Sequence, residues 1–299
     1  MQGLLRVRAV IFDIDGVLLD ARASYHAVAE EAARRSIAPL VGEAAARAVP
    51  FDRSTEVGQF KQAGRFNDDW EMTRGIALLL LLRARGCAPP LATFLAEAHG
   101  DGVSGLFAGR VLGEAEARAL APEPLARVCG ALYGGRSRCL DLFGFEAPPE
   151  MPDRGYWERE ELLVETALLE RIMARFPVAL YTGRNPGEAA LALERTGLLV
   201  PPALRWVADG RPRKPDPAGL VWLCKMLLSK PIELPAKARP PAGAEALFVG
   251  DTADDEAAAR AAQALGAPLI YAHIQAPGDT ARVLSSLLES SESPSGEPT

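Results

Sequence analysis

The strongest constraint on this chain is a set of short apolar runs, rich in β-branched, aliphatic or aromatic residues, lacking clear alternation and mostly ended by polar or glycine positions. They are Val7 to Phe12, Val178 to Tyr181, Ala246 to Val249 and Pro268 to Tyr271, with a weaker fifth at Leu204 to Val207. Strands buried on both faces of a sheet read this way, whereas a half-solvated strand alternates. Between the later runs, Glu161 to Ala174, Pro186 to Thr196, Pro217 to Leu228 and Asp254 to Leu265 carry helical periodicity. Strand alternating with helix predicts an α/β protein built on a doubly wound parallel sheet.

The first run stands apart from the rest. From Ala21 to Tyr156 no segment reads as a strand, and Ala23 to Arg35, Trp70 to Arg85, Pro90 to Ala98 and Glu114 to Tyr133 read as helices. A sheet interrupted after its first strand by roughly 130 mostly helical residues is best explained by an inserted domain. The expected organisation is an α/β core at 1–20 and 157–290, an all-helical domain at 21–156, and a polar tail at 291–299 that is expected to be disordered. Ala147 to Pro152 would be the return linker, and the proline-rich stretch Ser229 to Gly243 a surface loop. With 299 residues the chain has ample material for both cores.

Composition narrows the function classes. A net charge of -6, without blocks of basic residues, argues against a nucleic-acid surface and for a small-molecule partner. The longest aliphatic run, Ile76 to Leu82, falls far short of the roughly 20 residues that cross a bilayer, so no membrane span is expected. Met1 to Arg8 lacks a basic stretch leading into an apolar core, which predicts a cytoplasmic protein. Cys87, Cys129, Cys139 and Cys224 are widely spaced with no CxxC pair, so neither a zinc site nor a disulfide framework is expected.

Ligands of open α/β sheets bind beyond the carboxyl ends of the strands. The first run ends in Asp13-Ile14-Asp15-Gly16, the second in Thr182-Gly183-Arg184, and the run from Ala246 in Gly250-Asp251 followed by Asp254 and Asp255; Lys214 precedes the helix that begins at Pro217. The proposed fold brings several carboxylates, a hydroxyl and an ammonium to one crevice. Carboxylates so close repel, and burial adds to the cost. A divalent cation resolves the conflict, and an all-oxygen set without histidine favours Mg²⁺. Part of the pattern is structural: Asn185 with Pro186 and Glu188, Asp216 with Pro217, and Thr252 with Asp255 are spaced as helix caps. Those caps leave Asp13, Asp15, Thr182, Lys214 and Asp251 without a structural purpose.

The sequence resembles the haloacid dehalogenase (HAD)-like hydrolase superfamily, in the subfamily I (IA-like) branch with a helical C1 cap inserted after the first strand. Val10 to Asp20 is similar to its first motif, a hydrophobic strand followed by DxDGxxxD, at every position. Thr182 is similar to the second motif, Lys214 with Pro215 to the third, and Gly250-Asp251 with Asp255 to the fourth. The resemblance implies a Rossmann-like core and phosphoryl chemistry. Asp13 would be the nucleophile that forms an aspartyl-phosphate, Asp15 the general acid and then base, Thr182 a donor to a phosphoryl oxygen, and Lys214 the neutralising cation. Mg²⁺ would be held by Asp13, the backbone carbonyl of Asp15 and Asp251, with Asp255 in the metal set or behind it as a cap.

Dehalogenases of the superfamily lack an acid at the position of Asp15, so its presence favours phosphoryl transfer. The cap segment from Lys61 to Trp70 looks like one found in a poorly characterised, phosphatase-like branch. Lys61, Arg65, Asn67 and Trp70 are therefore expected to bind substrate together with Gly183 and Arg184. The expected function is a Mg²⁺-dependent phosphatase of a small phosphorylated metabolite. The alternatives are a phosphomutase of a sugar phosphate and, on the same fold, a non-catalytic regulatory or binding protein, which would need a damaged catalytic set. A receiver domain would be about half this length and would carry its aspartate on the third strand. A homodimer is compatible with the large helical insert, although no heptad pattern or isolated apolar stripe demonstrates one.

Overall fold

A computed structural model describes residues 2–63, 66, 69–99, 102–229 and 243–292. The chain divides into two compact units, Met1–Asp20 with Glu161–Thr299, and Ala21–Glu160. The strands, in chain order, are β1 (Val7–Phe12), β2 (Leu19–Asp20), β3 (Glu161–Leu162), β4 (Val178–Tyr181), β5 (Arg205–Trp206), β6 (Glu245–Gly250) and β7 (Leu269–His273).

In the first unit β1 is the centre of a parallel five-stranded sheet ordered β5-β4-β1-β6-β7. The chain builds outward on one side through β4 and β5, then returns to the other through β6 and β7, so the order reverses at β1. That reversal makes a topological switch point at the carboxyl end of β1, where open α/β sheets bind their ligands. Register fixes what meets there, because Phe12 pairs with Leu180 on one side and Val249 on the other. Asp13, Thr182 and Gly250 to Asp251 therefore emerge at the same edge. The uninterrupted apolarity of these runs matches their environment: all four residues of β4, and every residue of β1 except Arg8, are buried.

All five apolar runs form strands; Val7–Phe12 and Val178–Tyr181 have the expected bounds, and the other three differ by one or two residues at their ends. The structure corrects the stretch expected as a helix from Glu161: Glu161–Leu162 extends antiparallel against Leu19–Asp20, and the helix spans Thr166–Met173. A two-residue pairing leaves no periodic signal. At the far end, the helix Asp279–Glu292 carries Ser291 and Glu292 beyond the expected start of the tail; residues 293–299 lie outside the described residues, as do 230–242 of the expected loop.

The described residues of the second unit form helices joined by turns and loops, with no strand among them. Of the aliphatic run Ile76 to Leu82, all but Leu82 is buried within the helix Asp69–Ala84, and no described helix is long and apolar enough to cross a membrane. The helix expected from Glu114 to Tyr133 is two helices, Glu114–Ala119 and Pro122–Phe143. Proline supplies the new start, since its fixed φ and missing N–H suit a first helical position. The longer helix breaks at Gly135 (φ 62°), where a Cβ would lie 2.5 Å from the amide nitrogen of Gly155. The carbonyls of Pro152 and Asp153 accept from Arg136 N–H and Ser137 N–H at 3.0 and 3.1 Å, replacing the bonds that the break removes. Ala147 to Pro152, expected as a linker, lies inside this unit, which ends at Glu160. Additional helices at Glu43–Ala48, Arg53–Gln62 and Val103–Phe107 fill segments with no clear sequence periodicity.

Candidate active site

Asp13 is the first residue beyond β1, and its backbone N–H donates to Val249 O at 3.0 Å. Its carboxylate is buried and meets Lys214 Nζ at 2.9 Å. The same ammonium reaches Asp255 Oδ1 at 2.6 Å and lies 5.1 Å from the ring centre of Tyr181 and 5.8 Å from that of Phe248. Lys214 arrives on a loop tied down at two points. Tyr181 OH donates to Asp216 O at 2.8 Å, and Trp206 Nε1–H to Pro212 O at 3.0 Å. Neither anchor was legible in the sequence, where both aromatics read only as strand residues.

Burial is the main cause that raises the Asp13 pKa well above the ordinary carboxylate value; Lys214 opposes it, while Asp255, Asp251 and Asp15 add to the rise. Burial pulls the Lys214 pKa down, yet its pairing with Asp13 and Asp255 outweighs that and holds it above its usual value. A carboxylate buried in this way thus depends on neighbouring positive charge to stay ionised. Oxygens of Asp13, Asp251 and Asp255 lie within 4.8 Å of one another. This concentration of carboxylates and the all-oxygen donor set fit a hard divalent cation.

The members of that group differ in what their oxygens already do. Asp255 is wholly buried; Oδ1 faces Lys214, while Oδ2 accepts from Asp251 N–H at 3.3 Å, Thr252 N–H at 3.1 Å and Thr252 Oγ1 at 2.7 Å. Thr252 Oγ1 in turn accepts from Asp255 N–H at 3.1 Å, closing the reciprocal cap that the sequence spacing suggested. Asp255 therefore orients Lys214 and the turn that carries Asp251.

Gly16 permits the close approach of β1's turn to that residue. Its φ is +71°, and a Cβ there would fall 2.0 Å from Asp251 Oδ2. We expect Gly16→Ala to cost about 1–2 kcal/mol from the left-handed backbone alone, with the displacement of Asp251 adding to it. Thermal unfolding checks this, and a midpoint equal to the wild type would contradict it.

Thr182 is buried, its N–H donating to Trp206 O at 3.0 Å and its Oγ1 accepting from Arg184 N–H at 3.2 Å. Gly183 leaves open space at its Cβ position. Arg184 is buried, and Nη2 meets Asp15 Oδ1 at 2.6 Å while Nε–H lies 3.2 Å from both Asp15 oxygens. Asn185 caps the next helix, accepting from Glu188 N–H at 2.9 Å.

The helical-unit residues expected at the substrate are placed less informatively. Lys61 Nζ pairs with Asp69 Oδ1 at 3.4 Å, and Trp70 packs against Tyr25 and Phe143, with ring centres 5.8 and 6.4 Å away. Trp70 thus takes part in the aromatic core of its own unit. Arg65 and Asn67 lie outside the described residues.

A family model described as haloacid dehalogenase-like hydrolase matches residues 7–263. No curated protein matches the chain in a sequence search. Among solved structures, the phosphatase Tt82 from Thermococcus thioreducens superposes with a TM-score of 0.64 at 23% identity, covering 94% of this chain and 98% of that one. A second, solved as a structural-genomics target, gives a TM-score of 0.59 at 15% identity, covering 94% of each chain. At these identities the likeness shows a shared fold.

Proposed function

The chain belongs to the haloacid dehalogenase-like hydrolases, and from that premise we propose that it is a Mg²⁺-dependent phosphatase of a small phosphorylated metabolite, working through an aspartyl-phosphate on Asp13. The observation that carries the reading is the buried Asp13 carboxylate held 2.9 Å from Lys214 within a group of converging carboxylates. The paired ammonium keeps the Asp13 carboxylate ionised despite its burial, which a nucleophilic role requires.

In this reading an oxygen of Asp13 attacks phosphorus as the bond to the leaving oxygen breaks, and Asp15 delivers a proton to that oxygen. Water then attacks the phosphorus of the aspartyl-phosphate, gives its proton to Asp15, and frees inorganic phosphate and the Asp13 carboxylate. Lys214 offsets the charge of nucleophile and phosphoryl group, and Thr182 donates to a phosphoryl oxygen. Asp13, Asp251 and the backbone carbonyl of Asp15 would hold Mg²⁺, with Asp255 supporting the set. When bound, the cation screens the repulsion between anionic phosphate and carboxylate. Lys61, Arg65, Asn67 and Trp70 are assigned to substrate selection; Lys61→Ala is the variant that tests this, through KM across the substrates accepted.

The test is phosphate release from a panel of phosphorylated metabolites with Mg²⁺ and with EDTA. We expect turnover that falls at least about 10²-fold in EDTA, the scale for losing preorganised charge stabilisation, and returns when Mg²⁺ is restored. Equal turnover in EDTA would sink the metal-dependent reading. Isomerised product with dependence on a bisphosphate would favour a phosphomutase instead.

A further inference from the structure

The chemistry proposed above asks Asp15 to give up a proton and then take one, yet its carboxylate is not among the three that converge within 4.8 Å in the described residues. It is engaged elsewhere, by the guanidinium of Arg184. We propose that Arg184 is a positioning residue that sets the aim of the acid/base carboxylate of Asp15, rather than a ligand of the substrate; the inference rests on the phosphatase reading.

Three features support it. The Arg184 side chain is only 2% exposed while that of Asp15 is 40% exposed, so the guanidinium lies behind the carboxylate and the carboxylate is the member open to solvent. Nε and Nη2 together address both oxygens, at 3.2, 3.2 and 2.6 Å, and such a fork fixes the carboxylate plane as a single point charge does not. The backbone that delivers it is itself held: Arg184 N–H donates to Thr182 Oγ1 at 3.2 Å, and Arg184 O accepts from Ala208 N–H at 2.9 Å. Asp15 in turn sits on a tight turn closed by Gly16 N–H donating to Leu19 O at 2.9 Å. A rigid strand end thus steers a carboxylate that would otherwise spread over several rotamers.

The experiment is a double-mutant cycle between Arg184→Lys and Asp15→Asn, using the best substrate of the panel and p-nitrophenyl phosphate. The latter has a leaving group that needs no proton, which keeps the Asp15→Asn background measurable. Arg184→Lys retains the charge and most of the length while removing the planar fork, so it remains available if Arg184→Ala fails to fold. With Asp15 present, we expect kcat to fall about 10- to 100-fold, the scale of a misplaced catalytic group, with KM within threefold of the wild type. In the Asp15→Asn background the same change should alter kcat less than threefold, because the two residues act as one unit. A tenfold rise in KM with kcat retained, or losses that multiply across the cycle, would make Arg184 a substrate contact and overturn the proposal alone. A folded wild type that releases no phosphate from any member of the panel would overturn the phosphatase reading and this proposal together.

Discussion

Replacing Asp13 by Asn is expected to lower phosphate release by at least about 10⁴-fold, since the amide cannot form the acyl-phosphate. The structure makes this a clean experiment. Asp13 is buried at the end of β1, so an isosteric amide fills the same space and its oxygen can still accept from Lys214, 2.9 Å from the native carboxylate. Removing the charge also removes the repulsion from Asp255, Asp251 and Asp15 that burial aggravates. The variant should therefore fold, with a thermal midpoint close to the wild type. A variant that retained a tenth of the activity would rule out Asp13 as the nucleophile.

Lys214→Ala is the second large effect, and it is expected in both activity and stability. Activity should drop about 10²- to 10³-fold, as for loss of one preorganised charge donor. Stability should fall by about 3–5 kcal/mol at neutral pH in EDTA, the range for removing one partner of a buried ion pair. The ammonium serves two carboxylates at once, Asp13 at 2.9 Å and the fully buried Asp255 at 2.6 Å. The sign of the pH dependence follows from Asp13, whose folded pKa is already raised by burial and must rise further without Lys214. A carboxyl whose pKa is higher folded than unfolded destabilises the fold when ionised. The stability deficit of the variant should accordingly be largest at alkaline pH and shrink as the pH falls and Asp13 takes up a proton. Denaturant unfolding at several pH values reads this directly. A deficit that stayed constant with pH would mean that the loss comes from packing and not from the stranded charge.

Much of the fold was legible because parallel strands buried on both faces announce themselves as unbroken apolar runs, as Val178–Tyr181 does. The elements that escaped are those held by tertiary context. Leu19–Asp20 and Glu161–Leu162 are two residues each and pair across a gap of some 140 positions, so no local periodicity marks them. The break at Gly135 depends on the carbonyls of Pro152 and Asp153 reaching into the helix, and glycine alone does not foretell that. At the site, the residue types and strand ends pointed to Asp13, Lys214 and Asp251 as a group. They did not reveal that both oxygens of Asp255 are committed to Lys214, Asp251 and Thr252. Nor did they name Asp15 as the acidic partner to which Arg184, expected at the substrate, turns its guanidinium. A motif gives spacing along the chain, while the partner of a long side chain is chosen by what the fold places within its reach.

The central claim is the covalent intermediate, and acid quenching during turnover, followed by mass analysis of the digested protein, tests it most directly. The added mass of one phosphoryl group is expected on the peptide that contains Asp13, present in the wild type and absent in Asp13→Asn. Steady turnover with no phosphorylated peptide at any quench time, or with the group on a different residue, would contradict it.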